Sequence, residues 1–176
     1  MITSAALLLR EHGVAGTTVA KVLEHSSGPR GSVGYHFPGG RVELLIEGLE
    51  WASSLVTAAL GKARARGDSP AEVFAMICGF YQRQLTDSQF AAGCPVGATA
   101  LEAYDDPTLG PVVSKILNGW IASLADVLID AGRSPEDAHD LASLFLSSLE
   151  GAIMIARVQR SARPIEVVQE RLRPLL

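Results

Sequence analysis

Apolar residues recur along this chain in steps of three and four. Ala5, Ala6, Leu8 and Leu9 do so in the first segment, and Leu45, Leu49, Ala52, Val56 and Ala59 further on. Leu141, Phe145, Leu149, Ala152 and Ala156 repeat the pattern near the end. This is the period of an α-helix that buries one face, and no run of alternating β-branched residues favours a sheet.

Turn and cap residues divide the pattern into segments. The first helix is predicted over about 2–12, closed by Gly13. Thr17 and Thr18 offer hydroxyl oxygens to the free N–H groups of a short second helix, Val19 to His25. Ser26-Ser27-Gly28-Pro29 makes a turn, Pro29 suits the first position of a third helix ending near His36, and Pro38-Gly39-Gly40 stops it. A fourth helix, from Arg41 to Arg66, would be about 39 Å long at 1.5 Å per residue. Later helices are predicted near 70–87, 94–104, 107–131, 135–160 and 164–175. Their starts are marked by Ser69-Pro70, Cys94-Pro95, Asp106-Pro107 and Ser134-Pro135. The expected fold is all-α: a three-helix domain at 1–40, joined by the long helix to a second helical domain at 41–176.

Composition narrows the class. The chain has 176 residues, 48% of them apolar, enough for one or two domains with a sizeable core. Its longest apolar runs are broken by charge or glycine before about 18 residues, and no basic region precedes the apolar N-terminal run. A cytoplasmic protein is therefore expected. Cys78 and Cys94 read as buried free thiols, and His12, His25, His36 and His139 are too scattered to share a metal, so neither metal nor cofactor is predicted. An enzyme would need a nucleophile with its base or paired carboxylates. Asp105-Asp106 instead read as helix caps, so no catalytic role is expected. Cys94, at a helix start, keeps one alternative open, a redox-sensing protein.

Net charge is −4, but residues 1–45 carry plus one and the remainder minus five. The N-terminal end is thus the one suited to an anionic partner. Two short helices joined by a glycine-containing turn make a helix-turn-helix, with the third helix as the reading element. Arg30 and Ser32 stand at its start, and Tyr35 and His36 at its end. Thr17, Thr18 and Lys21 flank the second helix and Arg41 opens the fourth. These eight are the candidate contacts to duplex DNA, although each alone can equally be a solvated charge or a cap.

The stretch TTVAKVLEHSSGPRGSVGYHFPGGRVELL resembles the DNA-binding end of the tetracycline-repressor (TetR) family of transcription regulators. The Pro-Gly-Gly after His36-Phe37, with GCPVGATALE at 93–102, resembles its LmrA/YxaF-like branch. The resemblance implies operator contacts by Thr17, Thr18, Arg30, Ser32, Tyr35, His36 and Arg41, with Phe37 packing inward. Where the family has a tyrosine two residues before the histidine, this chain has Gly34. That removes a side chain which ordinarily touches the operator and costs the helix up to about 1 kcal/mol.

Residues 41–176 hold large side chains at Trp51, Met76, Phe80, Tyr81, Phe90, Cys94, Tyr104, Trp120 and Met154. These either pack a core or line a cavity, and the resemblance implies a small, apolar or aromatic effector. For a homodimer interface the candidates are Leu141, Phe145, Ser148, Leu149, Ala152 and Ala156, supported by Val113, Ile116, Trp120 and Leu124. Internal core is the competing reading of both stripes. The expectation is a repressor that leaves a palindromic operator when the effector binds, with no membrane partner.

Overall fold

The computed structural model describes residues 1–29 and 31–176, so the expected contact at Arg30 lies outside the described residues. The described residues form helices and no strand: α1 (Ile2–Gly16), α2 (Val19–Ser26), α3 (Ser32–His36), α4 (Gly40–Arg66), α5 (Pro70–Asp87), α6 (Pro95–Glu102), α7 (Leu109–Asp130), α8 (Pro135–Gln159) and α9 (Arg163–Leu172), followed by a 3-10 turn at Arg173–Leu175.

The expected punctuation is where helices begin. Ser69 accepts the Glu72 N–H while the Glu72 carboxylate accepts the Ser69 N–H, a reciprocal capping box. Ser134 accepts from Asp137 N, and Cys94 Sγ takes the Gly97 N–H at 3.4 Å. Boundaries that differ from expectation include those of α7, α3 and α1. Asp106 accepts from both Thr108 N and Leu109 N at 2.8 Å, and this places the start of α7 two residues beyond Pro107. Gly31, at φ 90, is left-handed, so α3 begins at Ser32 rather than Pro29. At Gly13, φ 67 and ψ −170 kink α1 instead of ending it, and helical turn resumes to Gly16.

The chain packs as two compact units. The first comprises Met1–Leu55 with Cys94–Leu117, and the second Val56–Gly93 with Asn118–Leu176. In the first, Ala5, Leu8, Val22, Val33, Phe37 and Leu44 form a buried core flanked by Met1, Ile2, Val19 and Leu23. α1 packs more extensively against α6 than against α2.

In the second unit α5, α8 and α9 pack together, and the rings of Phe74 and Phe145 lie 3.7 Å apart between centroids at 44°. Arg64 bridges Asp126 at 2.8 Å and Asp130 on α7.

By length and mean hydropathy, α4, α7 and α8 are each apolar enough to cross a membrane. The interruptions by charge and glycine do not prevent this, because averaging over a helix forgives an isolated charge or glycine. Their apolar stripes are covered in part by protein: Leu44, Leu45, Leu49 and Leu60 of α4, and Trp120, Leu124 and Leu128 of α7, are buried.

Candidate nucleic-acid interface

The first three helices make a head because their inward residues are apolar and evenly spaced. Val22 of α2, Val33 of α3 and Phe37 just beyond it meet Ala5 and Leu8 of α1, which fixes α2 and α3 on a common base. Their opposite sides face solvent. Thr18 caps α2 by accepting the Lys21 N–H at 3.3 Å, which leaves the Lys21 ammonium exposed. Tyr35 is 82% exposed and meets His36 edge to face with ring centroids 4.9 Å apart. Ser32 donates its hydroxyl to Pro29 O at 2.7 Å, tying the start of α3 to the turn. Such a face offers a cation, hydroxyls, a phenol and an imidazole from two short helices, the mixture that meets phosphates and base edges.

Two expected contacts sit on the inside of the head. Thr17 is fully buried, and its hydroxyl donates to Gly13 O at 2.7 Å, so it ties the end of α1 instead of facing DNA. The half-buried Arg41 donates Nε to Thr17 O at 2.8 Å and Nη2 to Val14 O, closing the C-terminal carbonyls of α1. Both satisfy carbonyls at Gly13 and at the end of α1 beyond it, where the backbone departs from helical geometry; a local reading of the sequence has no means of seeing it. At Gly34 an added Cβ would meet nothing within 4 Å, so the missing side chain leaves open space on α3.

A family model for the C-terminal domain of LmrA/YxaF-like transcriptional regulators matches residues 70–171. An uncharacterised helix-turn-helix transcriptional regulator of Mycobacterium tuberculosis is 39% identical over all of this chain and 92% of its own length. This chain belongs to the TetR family. Within it, the YxaF regulator of Bacillus subtilis is 26% identical over 98% of this chain and 91% of that protein. A TetR regulator structure from Legionella pneumophila superposes with a TM-score of 0.86 at 21% identity, over 99% of this chain and 94% of that one. The fold is thus that of TetR regulators, and the protein is a DNA-binding transcriptional regulator of the LmrA/YxaF-like branch.

The residues expected around an effector are dispersed in this TetR protein. Trp51, Cys94 and Tyr104 belong to the first unit, and Met76, Phe80, Tyr81, Phe90, Trp120 and Met154 to the second. Phe80, Tyr104 and Met154 are exposed, while Tyr81, Cys94 and Trp120 are buried. A cavity of about 390 Å³ in the second unit is lined by none of the nine; its walls are Phe74, Phe145, Ala75, Glu72, Gln169 and Leu172 among others.

The expected dimer stripe also needs correction. Phe145, Leu149, Ala152 and Ala156 are buried within the chain, as are Val113, Ile116, Trp120 and Leu124 of α7. The apolar residues that α8 leaves exposed are Leu144, Met154, Ile155 and Val158. Leu144, Ile155 and Val158 share a seam with Ser148 and Gly151 at alternating steps of four and three. Periodicity marks the stripe that the chain covers itself and does not bring out the exposed seam beside it.

Proposed function

We propose that this regulator is a homodimeric repressor whose residues 1–40 read a palindromic operator and whose residues 41–176 form the dimer and hold a small apolar or aromatic effector. The observation that carries the reading is the solvent-facing set Thr18, Lys21, Tyr35 and His36 on α2 and α3, whose other side is anchored in the head's core. Dimerisation has a geometric reason: two reading helices about 34–36 Å apart address successive major grooves. The exposed seam on α8 supports it, since Ser148 and Gly151 let a second helix approach closely.

The cavity beside Phe74 and Phe145 has the volume of a small-ligand site and supports an effector of matching size. Effector binding favours a different tilt of α4, which alters the separation of the two heads and releases the operator. The protein works without catalysis and in the cytoplasm, where its DNA is.

Footprinting on the DNA flanking its gene, across a salt series, tests the reading. A symmetric protected site whose affinity falls steeply with salt is expected. Absence of any protected site would instead favour a helical ligand-binding or redox-sensing protein, and independent binding of operator and effector to one dimer would end the coupling.

A further inference from the structure

The corner between α1 and α2 is held by a carboxylate from a distant part of the sequence. Gly13 adopts the left-handed region inside α1, and a side chain there would overlap Glu102 Oε1 at the end of α6. The second oxygen, Glu102 Oε2, accepts the Ala15 N–H at 2.8 Å. Arg41 of α4 meanwhile donates to the carbonyls of Val14 and Thr17. The corner's amide is therefore held from α6 and its carbonyls from α4. α2 starts immediately afterwards, with Thr18 as its cap.

We propose that Glu102 is a positioning residue for operator recognition: seated in the space that Gly13 leaves, its carboxylate sets the corner from which α2 and α3 are presented to DNA. The inference rests on the DNA-binding reading above. Ala15 is exposed, so without Glu102 its N–H takes water instead. Gly13, released from its carboxylate neighbour, then samples the several backbone regions open to glycine. The core of the head survives this loss, because none of its members is involved. What changes is the exit direction of the chain into α2. An oxygen acceptor at position 102 is what the corner requires, so glutamine substitutes for glutamate.

The test uses the full-length wild type, Glu102→Ala, Glu102→Gln, Gly13→Ala and the Gly13→Ala/Glu102→Ala double variant. Each is titrated across a salt series onto a duplex bearing the site footprinted upstream of the gene. Amide exchange at Ala15 is read without DNA. Glu102→Ala is expected to speed that exchange and weaken operator binding about tenfold, the scale of one charge-assisted hydrogen bond. The salt slope stays at the wild-type value, since no phosphate contact is lost. Glu102→Gln should bind within about threefold of wild type, keeping its acceptor. Gly13→Ala should weaken binding more when Glu102 is present than when it is alanine, because only then does the new Cβ meet a carboxylate.

Wild-type affinity in Glu102→Ala overturns the proposal. So does a salt slope that moves by about one unit, or a Glu102→Gln variant as weak as the alanine one. A lowered unfolding midpoint with unchanged affinity of the folded fraction overturns it too, since that marks a purely structural role. If the wild type itself binds no such duplex, the DNA-binding reading is what fails; if it binds and Glu102→Ala matches it, only the role of Glu102 does.

Discussion

Arg41 donates Nε to the carbonyl oxygen of Thr17 at 2.8 Å, so the first turn of α4 closes the last turn of α1. A guanidinium at the start of a long helix, just past a Pro-Gly-Gly stop, is well placed for a phosphate when only the sequence is considered. The fold gives it carbonyls instead.

Arg41→Ala is therefore expected to act through stability. Removing a charge-assisted donor from the carbonyls of Val14 and Thr17 should cost about 1.5–3 kcal/mol, read by urea unfolding. The salt slope of operator binding should hardly move. Lys21→Ala should do the reverse, with little loss of stability and a slope flatter by about one unit. A flattened slope in Arg41→Ala would return it to the phosphate contacts.

Gly34 can be replaced without collision, since open space surrounds its missing side chain and its φ is not positive. Gly34→Ala is expected to stabilise the head by up to about 1 kcal/mol through helix propensity. Gly34→Tyr should in addition change operator affinity, because the new phenol stands on α3, the proposed reading helix, beside the exposed Tyr35. Thermal unfolding and footprinting separate the two effects.

The two stripes of α8 should respond differently. Val158→Glu or Ile155→Glu is expected to yield folded monomers by light scattering, since both side chains are exposed. Phe145→Ala should instead cost about 3–5 kcal/mol of stability, as expected for truncating a buried aromatic. A dimer that survives a charge at both exposed positions would move the interface elsewhere.

Stability should fall at both ends of the pH scale. The backbone N–H groups of Leu109 and Thr108 hold Asp106 below the usual carboxylate range, the Ser69 hydroxyl and N–H do so for Glu72, and hydrogen bonding from Arg64 does so for Asp130. Their stabilisation is present above the unfolded value near 4 and is lost as pH drops through the lower folded values. At the other end, burial pushes the Cys78 thiol up to about 11. An unfolded thiol ionises near 8.5, so stability declines as pH rises from about there towards the folded value. Unfolding midpoints measured across pH should trace both arms, and Cys78→Ala should flatten the alkaline one.

Helices were legible because their signals are local. Ser69, Cys94, Asp106 and Ser134 cap helices as their sequence neighbours imply, and the apolar period marked the buried faces. The outward face of the head was legible at Lys21, Tyr35 and His36 for the same reason. The partners of Thr17 and Arg41 were not legible because they depend on where the backbone of α1 bends and ends, and a threonine before a helix looks alike whether its hydroxyl faces water or Gly13. Glu102 had no signal at all, since its partner Ala15 lies 87 positions away. On α8, two apolar faces on one helix cannot be ranked until the neighbouring helices are in place.

The first compact unit is discontinuous, joining Met1–Leu55 to Cys94–Leu117. During synthesis its early portion leaves the ribosome first. At about 5–20 residues per second, it then waits several seconds for α6 to emerge. Until then nascent α1 lacks α6 and leaves the surface that α6 covers exposed. A fragment cut at residue 55 would remain in that waiting condition, with the α6-facing side of α1 left uncovered.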